Sequence, residues 1–170
     1  MDFYEVIRKR QSIRQYTSEI PEKEKINKIL NAARLAPTWA NKQGMQYIIV
    51  QNPELVKELW QAIGQQEKFK NASIFIVGLI SEKESGTRSI QYYPVDFGIC
   101  FEHLILAATA EGLATCWIGW FNETKVKEIL KIPGEYHVLG ITPLGYSIEN
   151  EINKKVRKPL EDMIHYDFFS

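Results

Sequence analysis

Hydrophobic and polar residues alternate with changing period along this chain, and the pattern is least polar over residues 95–111. Asp96, Glu102, His103, Thr109 and Glu111 are the clearly polar residues there, too few to give a helix the solvated stripe that a surface position requires. The segment therefore predicts a central helix that faces protein on most sides, closed by Gly112 as a C-terminal cap. Residues 113–120 follow as a short buried strand of small and aromatic residues. A chain this short has limited material to cover such a helix, so part of the cover is expected from a second copy.

The flanking pattern supplies the other elements. Asp2 can cap a helix over residues 3–10, with Phe3, Val6 and Ile7 on one face and Arg8, Lys9 and Arg10 in the last turn, where cations are favoured. Pro21 opens a second helix to Ala36, striped by Ile26, Ile29, Leu30 and Ala33, and Pro37 ends it. A polar loop carrying Trp39 leads to a strand at residues 45–50. Pro53 starts a helix whose stripe is Leu55, Val56, Leu59, Trp60 and Ile63. Residues 72–80 are apolar throughout and read as a central strand. The polar stretch 81–94 suits a mobile surface loop or lid. A helix over residues 122–131, capped by Asn122 and stopped by Pro133, precedes a last strand at 136–146 and a terminal piece at 158–170. No repeat or linker interrupts the series, so residues 1–170 form one domain. Alternating strands and helices suggest three layers, with a parallel sheet between helices.

Charge and composition narrow the partners. The 21 basic and 21 acidic residues cancel, leaving no global field toward nucleic acid or an anionic membrane. Neither a secretory leader nor a membrane-spanning run is present in the pattern, and the expected location is cytoplasmic. Cys100 and Cys116 sit in apolar surroundings and read as reduced packing residues. The dinucleotide fingerprint is absent, and Gly140 to Gly145 lacks the Lys-Ser/Thr of a phosphate loop. His103, His137 and His165 lack metal-ligand spacing, so no metal site is expected; His103 reads as a satisfied core histidine.

Four blocks carry a resemblance. Arg10-Gln11-Ser12-Ile13-Arg14 follows the first helix, Pro37-Thr38-Trp39-Ala40-Asn41-Lys42-Gln43 follows the second, the stretch from Asp96 to Gly119 closes in GLATCWIG, and Lys155-Val156-Arg157-Lys158-Pro159-Leu160 lies near the end. In this order the blocks resemble the nitroreductase family over essentially the whole chain. The resemblance implies an α+β, three-layer α-β-α fold with a central mixed, largely antiparallel sheet, in a homodimer with FMN sites at the interface. That implication replaces the parallel sheet suggested by alternation.

The resemblance also assigns roles. Arg10, Lys155 and Arg157 would hold the FMN phosphate, an anion of nearly two charges, with Gln11 and Ser12 beside the phosphate and ribityl chain. Arg14 and Lys68 would lie near flavin N1 and O2, where negative charge grows on reduction. Gln65 would meet the pyrimidine edge, with Gln66 as its rival. Pro37 would aim Thr38, Trp39, Asn41 and Gln43 at the other subunit's flavin. The backbone of Ile118 and Gly119 would approach N5, glycine leaving room for the ring.

The implied activity is NADH- or NADPH-dependent oxidoreduction in two half-reactions, with hydride passing through flavin N5 to a nitroaromatic, quinone or similar acceptor. No catalytic side chain is needed, because the cofactor carries the chemistry. Trp39, Phe69, Tyr92, Tyr93, Trp120 and Phe121 are candidate pocket walls. Two alternatives remain: a flavin-dependent dehalogenase or flavin-modifying relative, and a flavin-binding dimer without turnover.

Overall fold

A computed structural model describes residues 1–81, 83, 86, 90–148 and 155–169. Among the described residues, five α-helices and four strands follow in chain order: α1 (Phe3–Lys9), α2 (Lys23–Arg34), β1 (Met45–Val50), α3 (Pro53–Ala62), β2 (Ile74–Ser81), α4 (Tyr93–Ala110), β3 (Ala114–Thr115), α5 (Glu123–Leu130) and β4 (Tyr136–Gly145). Short 3-10 turns lie at Trp39–Asn41, Glu67–Phe69 and Leu160–Met163. Asp2, Asn52 and Asn122 each cap a helix by accepting a backbone N–H. Residues 82, 84, 85 and 87–89 of the proposed lid at 81–94, and residues 149–154 before Lys155, lie outside the described residues.

The strands form one sheet in the order β1-β2-β4-β3, and each of its strand pairs is antiparallel. A parallel bridge joins Ser12 to Thr115 beside it. The parallel sheet suggested by alternation is thus corrected. After β1, α3 carries the chain away, but residues 63–73 bring it back so that Phe75 pairs with Val50. A strand entering from the end its predecessor left must run antiparallel.

Helices cover both faces. Phe75, Val77 and Leu79 of β2 pack with Leu59, Ile63 and Val126 from α3, its C-cap and α5. On the other face Ile74, Ile76 and Ile80 meet Ile26, Ile29, Phe97, Phe101 and Leu104 of α2 and α4. Gly78 and Gly140 are paired across β2 and β4. An added Cβ would lie 2.8 Å from Phe97 at Gly78 and 2.7 Å from Trp117 Nε1 at Gly140. The two glycines open the space into which these rings fit.

Several details depart from the sequence expectations. The predicted strand 113–120 is a ladder only at Ala114–Thr115, with Ile118 bridged to Ile141 further on. Between them the register faces Pro143, which has no N–H to donate, and Cys116 N–H instead donates to Thr142 Oγ1 at 3.1 Å. On α1, Val6 is buried, whereas Phe3 and Ile7 are exposed. His103 is exposed too, with Nδ1 2.9 Å from the Ile99 carbonyl. The core-histidine reading fails because this side of α4 is uncovered within one chain. It lines an apolar groove of about 710 Å³ with Phe3, Ile99, Leu106 and Ala110. Among the described residues, no helix is long and apolar enough to cross a membrane.

Candidate functional site

The segment after α1 is fixed along the β3 edge of the sheet. Ile13 N–H donates to Thr115 O at 2.9 Å, Thr17 N–H to Tyr146 O at 2.9 Å, and Ile148 N–H to Gln15 O at 3.2 Å. Ile13 and Tyr16 anchor it by burial, and the Tyr16 hydroxyl donates to Ile13 O at 2.7 Å. These two anchors leave Ser12 partly accessible and Arg14 exposed.

Around Cys116 the predicted residues come together. Burial pushes the Cys116 thiol up, while Arg14, Lys68, a hydrogen bond with Ser12, and Arg10 pull it in the opposite direction. Four residues from two separate stretches of sequence therefore act on one thiol. Beside them is a cleft of about 550 Å³, lined by Arg14, Tyr16, Lys68, Asn71 and Ile148 among others.

A second group of cations adjoins the first. Burial and the charges of Arg10 and Arg157 hold the Lys155 ammonium below the usual lysine range, against the opposing effect of Glu102. Lys155 Nζ donates to the Ile7 carbonyl, and Arg157 Nη1 donates to Val156 O at 2.8 Å. Burial raises Glu102 on α4, while Arg10, His103 and Lys155 lower it. Arg10 and Arg157, whose charges disfavour that of Lys155, form with it a place where a dianion would be stabilised.

The turn after α3 supplies Gln65 and Lys68. Gln65 is exposed at φ +50°, next to Gly64 at φ +80°. Gln66 is committed to the turn: its Nε2 donates to Ile63 O at 3.0 Å and its carbonyl accepts Trp60 Nε1–H at 2.9 Å. Ile118 is tied by both backbone groups to Ile141. Gly119 beyond it is exposed, and no atom would lie within 4 Å of an added Cβ. Trp120 is 77% exposed and stands against Gly64.

The remaining predicted contacts lie elsewhere. Thr38, Trp39, Asn41 and Gln43 precede Met45, which pairs with Ile80, whereas β3 pairs with Leu144 and Gly145 at the opposite end of β4 and the opposite edge of the sheet. Within one chain, the Arg10–Ser12–Arg14 group and the Thr38–Gln43 loop occupy opposite corners. Trp39 stacks on Tyr92 with centroids 6.1 Å apart, and Tyr93 stacks on His137 at 5.2 Å. Phe69, a candidate wall, is 1% exposed and belongs to the core, because it packs under the turn that carries Lys68. Phe121 also packs against that core.

Sequence reasoning missed the roles of Asp96, Glu102 and Cys116. Asp96 is 3% exposed and accepts the Trp39 N–H at 2.8 Å. A carboxylate in the first turn of an otherwise apolar helix was the available signal. No cluster of potential metal ligands occurs among the described residues.

The fold and this arrangement define a class of α+β proteins with an open antiparallel sheet and a basic cleft at one edge. Residues 2–168 match the family described as "Putative TM nitroreductase". The chain belongs to the nitroreductase family. A nitroreductase family protein from Clostridium difficile 630 superposes with a TM-score of 0.90 at 30% identity, covering 99% of this chain and 100% of that one. An FMN-dependent nitroreductase from Clostridium difficile R20291 gives 0.84 at 28% identity, covering 96% and 98%. Bacillus subtilis FMN reductase (NADPH) is 28% identical over 98% of this chain and 74% of its own length.

Proposed function

We propose that this chain is an FMN-dependent NAD(P)H oxidoreductase whose flavin lies against the β3 edge, reached by Arg10, Gln11, Ser12, Arg14, Gln65, Lys68, Ile118, Gly119, Lys155 and Arg157. The observation that carries the reading is the meeting of Ser12, Arg14, Lys68 and Arg10 around Cys116, with Lys155 and Arg157 extending the same positive wall. The FMN reductase and FMN-dependent nitroreductase among its relatives support the cofactor.

The donor set fits FMN. Its phosphate would take charge-assisted bonds from Arg10, Lys155 and Arg157 and relieve the repulsion among them. Arg14 and Lys68 would face the pyrimidine edge, where a cation favours the reduced form. The open space at Gly119 admits a ring close to the main chain. When bound, FMN supplies hydride acceptance from a nicotinamide and its delivery to a second substrate. The chain binds, orients and sets the charge around it. Trp39, Tyr92 and Trp120 offer aromatic surface for a flat acceptor such as a nitroaromatic or quinone.

The working unit in this reading is a homodimer. The opposite placement of the Thr38–Gln43 loop and the basic wall supports a site drawn from two chains. The uncovered face of α4 supports it as well, as do exposed Leu160, Met163, Tyr166, Phe168 and Phe169 near the C-terminus. Large apolar patches of this kind usually meet a partner.

The test is an anaerobic titration of purified, FMN-loaded protein with NADH and with NADPH, followed by absorption in the visible range. Bleaching by one equivalent per chain is expected from at least one nucleotide. Bound FMN that neither nucleotide reduces would contradict the enzymatic reading.

A further inference from the structure

The loop between α2 and β1 has a backbone shape that its own residues resist. Ala40, Asn41 and Gln43 have φ of 46°, 55° and 55°, a region where side chains meet backbone and which persists only when the surroundings impose it. Asn41 N–H donates to Thr38 O at 3.0 Å, and Gln43 N–H to Thr38 Oγ1 at 3.0 Å. Those bonds close the loop on itself.

Two contacts tie the loop to the start of α4. The Trp39 indole stacks on Tyr92 at an interplanar angle of 10°, and Trp39 N–H donates to Asp96 Oδ1 at 2.8 Å. Asp96 is nearly inaccessible. Burying a carboxylate is costly unless hydrogen bonds compensate, and a bond from a backbone N–H to a charged acceptor is stronger than its neutral counterpart. The sign of the carboxylate also suits the first turn of a helix. Six residues further along α4, about 9 Å at the helical rise, Glu102 faces Arg10 and Lys155. One helix thus touches the loop with its first turn and the basic wall with its middle.

We infer that Asp96 is a positioning residue: through the Trp39 backbone it holds Thr38, Asn41 and Gln43 in the shape with which they reach the flavin of the other subunit. Its effect on the flavin rests on the function proposed above, while its hold on the loop does not. Asp96 belongs to the loop half of the composite site, although α4 serves both halves.

The experiment compares Asp96→Ala and Asp96→Asn. In apo-protein, hydrogen exchange at the Trp39 amide should become fast in Asp96→Ala and remain slowed in Asp96→Asn, whose Oδ1 still accepts. FMN affinity should fall about tenfold or more in Asp96→Ala, the loss expected for one charge-assisted contact, and recover most of the way in Asp96→Asn. Mixed dimers then locate the lesion. Asp96→Ala paired with a chain carrying Arg10→Ala and Arg157→Ala should bind FMN normally at one of its two sites. Paired with a chain carrying Asn41→Ala and Gln43→Ala, it should have no normal site.

Native Trp39 protection and native FMN affinity in Asp96→Ala would overturn the inference, as would the reverse pattern of recovery. If Asp96→Ala does not fold, Asp96→Asn decides alone: its weaker neutral bond should speed Trp39 exchange measurably, and unchanged exchange would overturn the assignment. Wild-type protein that binds no FMN would contradict the flavin reading instead, and the Trp39 exchange would still test what Asp96 holds.

Discussion

Lys155 and Arg10 stand close enough to interact electrostatically: after burial, the Arg10 charge is the next largest influence holding the Lys155 ammonium below the usual lysine range. Arg157 acts in the same direction and Glu102 against it. A dianionic phosphate among these groups would reverse the balance.

Arg157→Ala should therefore weaken FMN more than riboflavin, because riboflavin lacks the phosphate. One lost charge-assisted bond is worth about 1.5–3 kcal/mol, or roughly ten- to a hundredfold in affinity. Isothermal titration of both ligands against apo-protein checks this. Equal weakening would remove Arg157 from the phosphate.

The same groups predict a pH profile. Native FMN affinity should rise as pH passes the second phosphate ionisation, near pH about 6, while riboflavin affinity stays flat there. At alkaline pH the sign reverses. Bound phosphate favours charged Lys155, so binding takes up a proton once the free protein begins to lose it. FMN affinity should then fall at lower pH than an ordinary lysine would give.

Arg14→Ala should change flavin electronics more than retention. Removing about 1–2 kcal/mol of stabilisation from the reduced form lowers a two-electron potential by roughly 20–45 mV. Spectroelectrochemistry on a variant that keeps stoichiometric FMN measures it; an unchanged potential would place Arg14 elsewhere.

Gly78→Ala should destabilise the fold without touching the site, since the new methyl would meet Phe97 in a packed layer with Phe101. Overpacking of this kind costs about 1–3 kcal/mol, or roughly 2–12 °C in Tm for a chain of this size. An unchanged melting temperature would show that Phe97 can move aside.

The two cysteines should respond differently to flavin. Burial, with a smaller contribution from Asp96, pushes the Cys100 thiol up to about 11, so its thiolate fraction at pH 8 is about one in a thousand. Cys116 is also raised by burial but stands among Arg14, Lys68, Ser12 and Arg10. FMN should slow alkylation of Cys116 and leave Cys100 unaffected, as read by peptide mass spectrometry. Equal protection of both would argue against flavin beside Cys116.

Local physics made the helices legible. Asp2, Pro53 and Asn122 announce their starts, and the stripes of α2 and α3 give their buried faces. The unbroken apolar run of β2 likewise marks the centre of the sheet. Strand direction was not legible, because it depends on how residues 63–73 return the chain. The interruption of β3 depends on Pro143 lying opposite it, a relationship between residues distant in sequence. His103 misled because it lies on the side of α4 that its own chain leaves uncovered. In the site, the motif positions of Arg10, Ser12 and Arg14 could be proposed from local sequence, whereas Asp96 holding Trp39 and Glu102 facing Lys155 are long-range pairings that no local pattern encodes.

The central claim is that each flavin site joins the basic wall of one chain to the Thr38–Gln43 loop of another. The direct measurement is the activity of a mixed dimer in which one chain carries Arg10→Ala with Arg157→Ala and the other carries Asn41→Ala with Gln43→Ala. Composite sites put both lesions into one site and none into the other, so two weakened proteins should together regain the NAD(P)H oxidation of one native site per mixed dimer. Sites built within single chains would regain nothing, and that result would contradict the account.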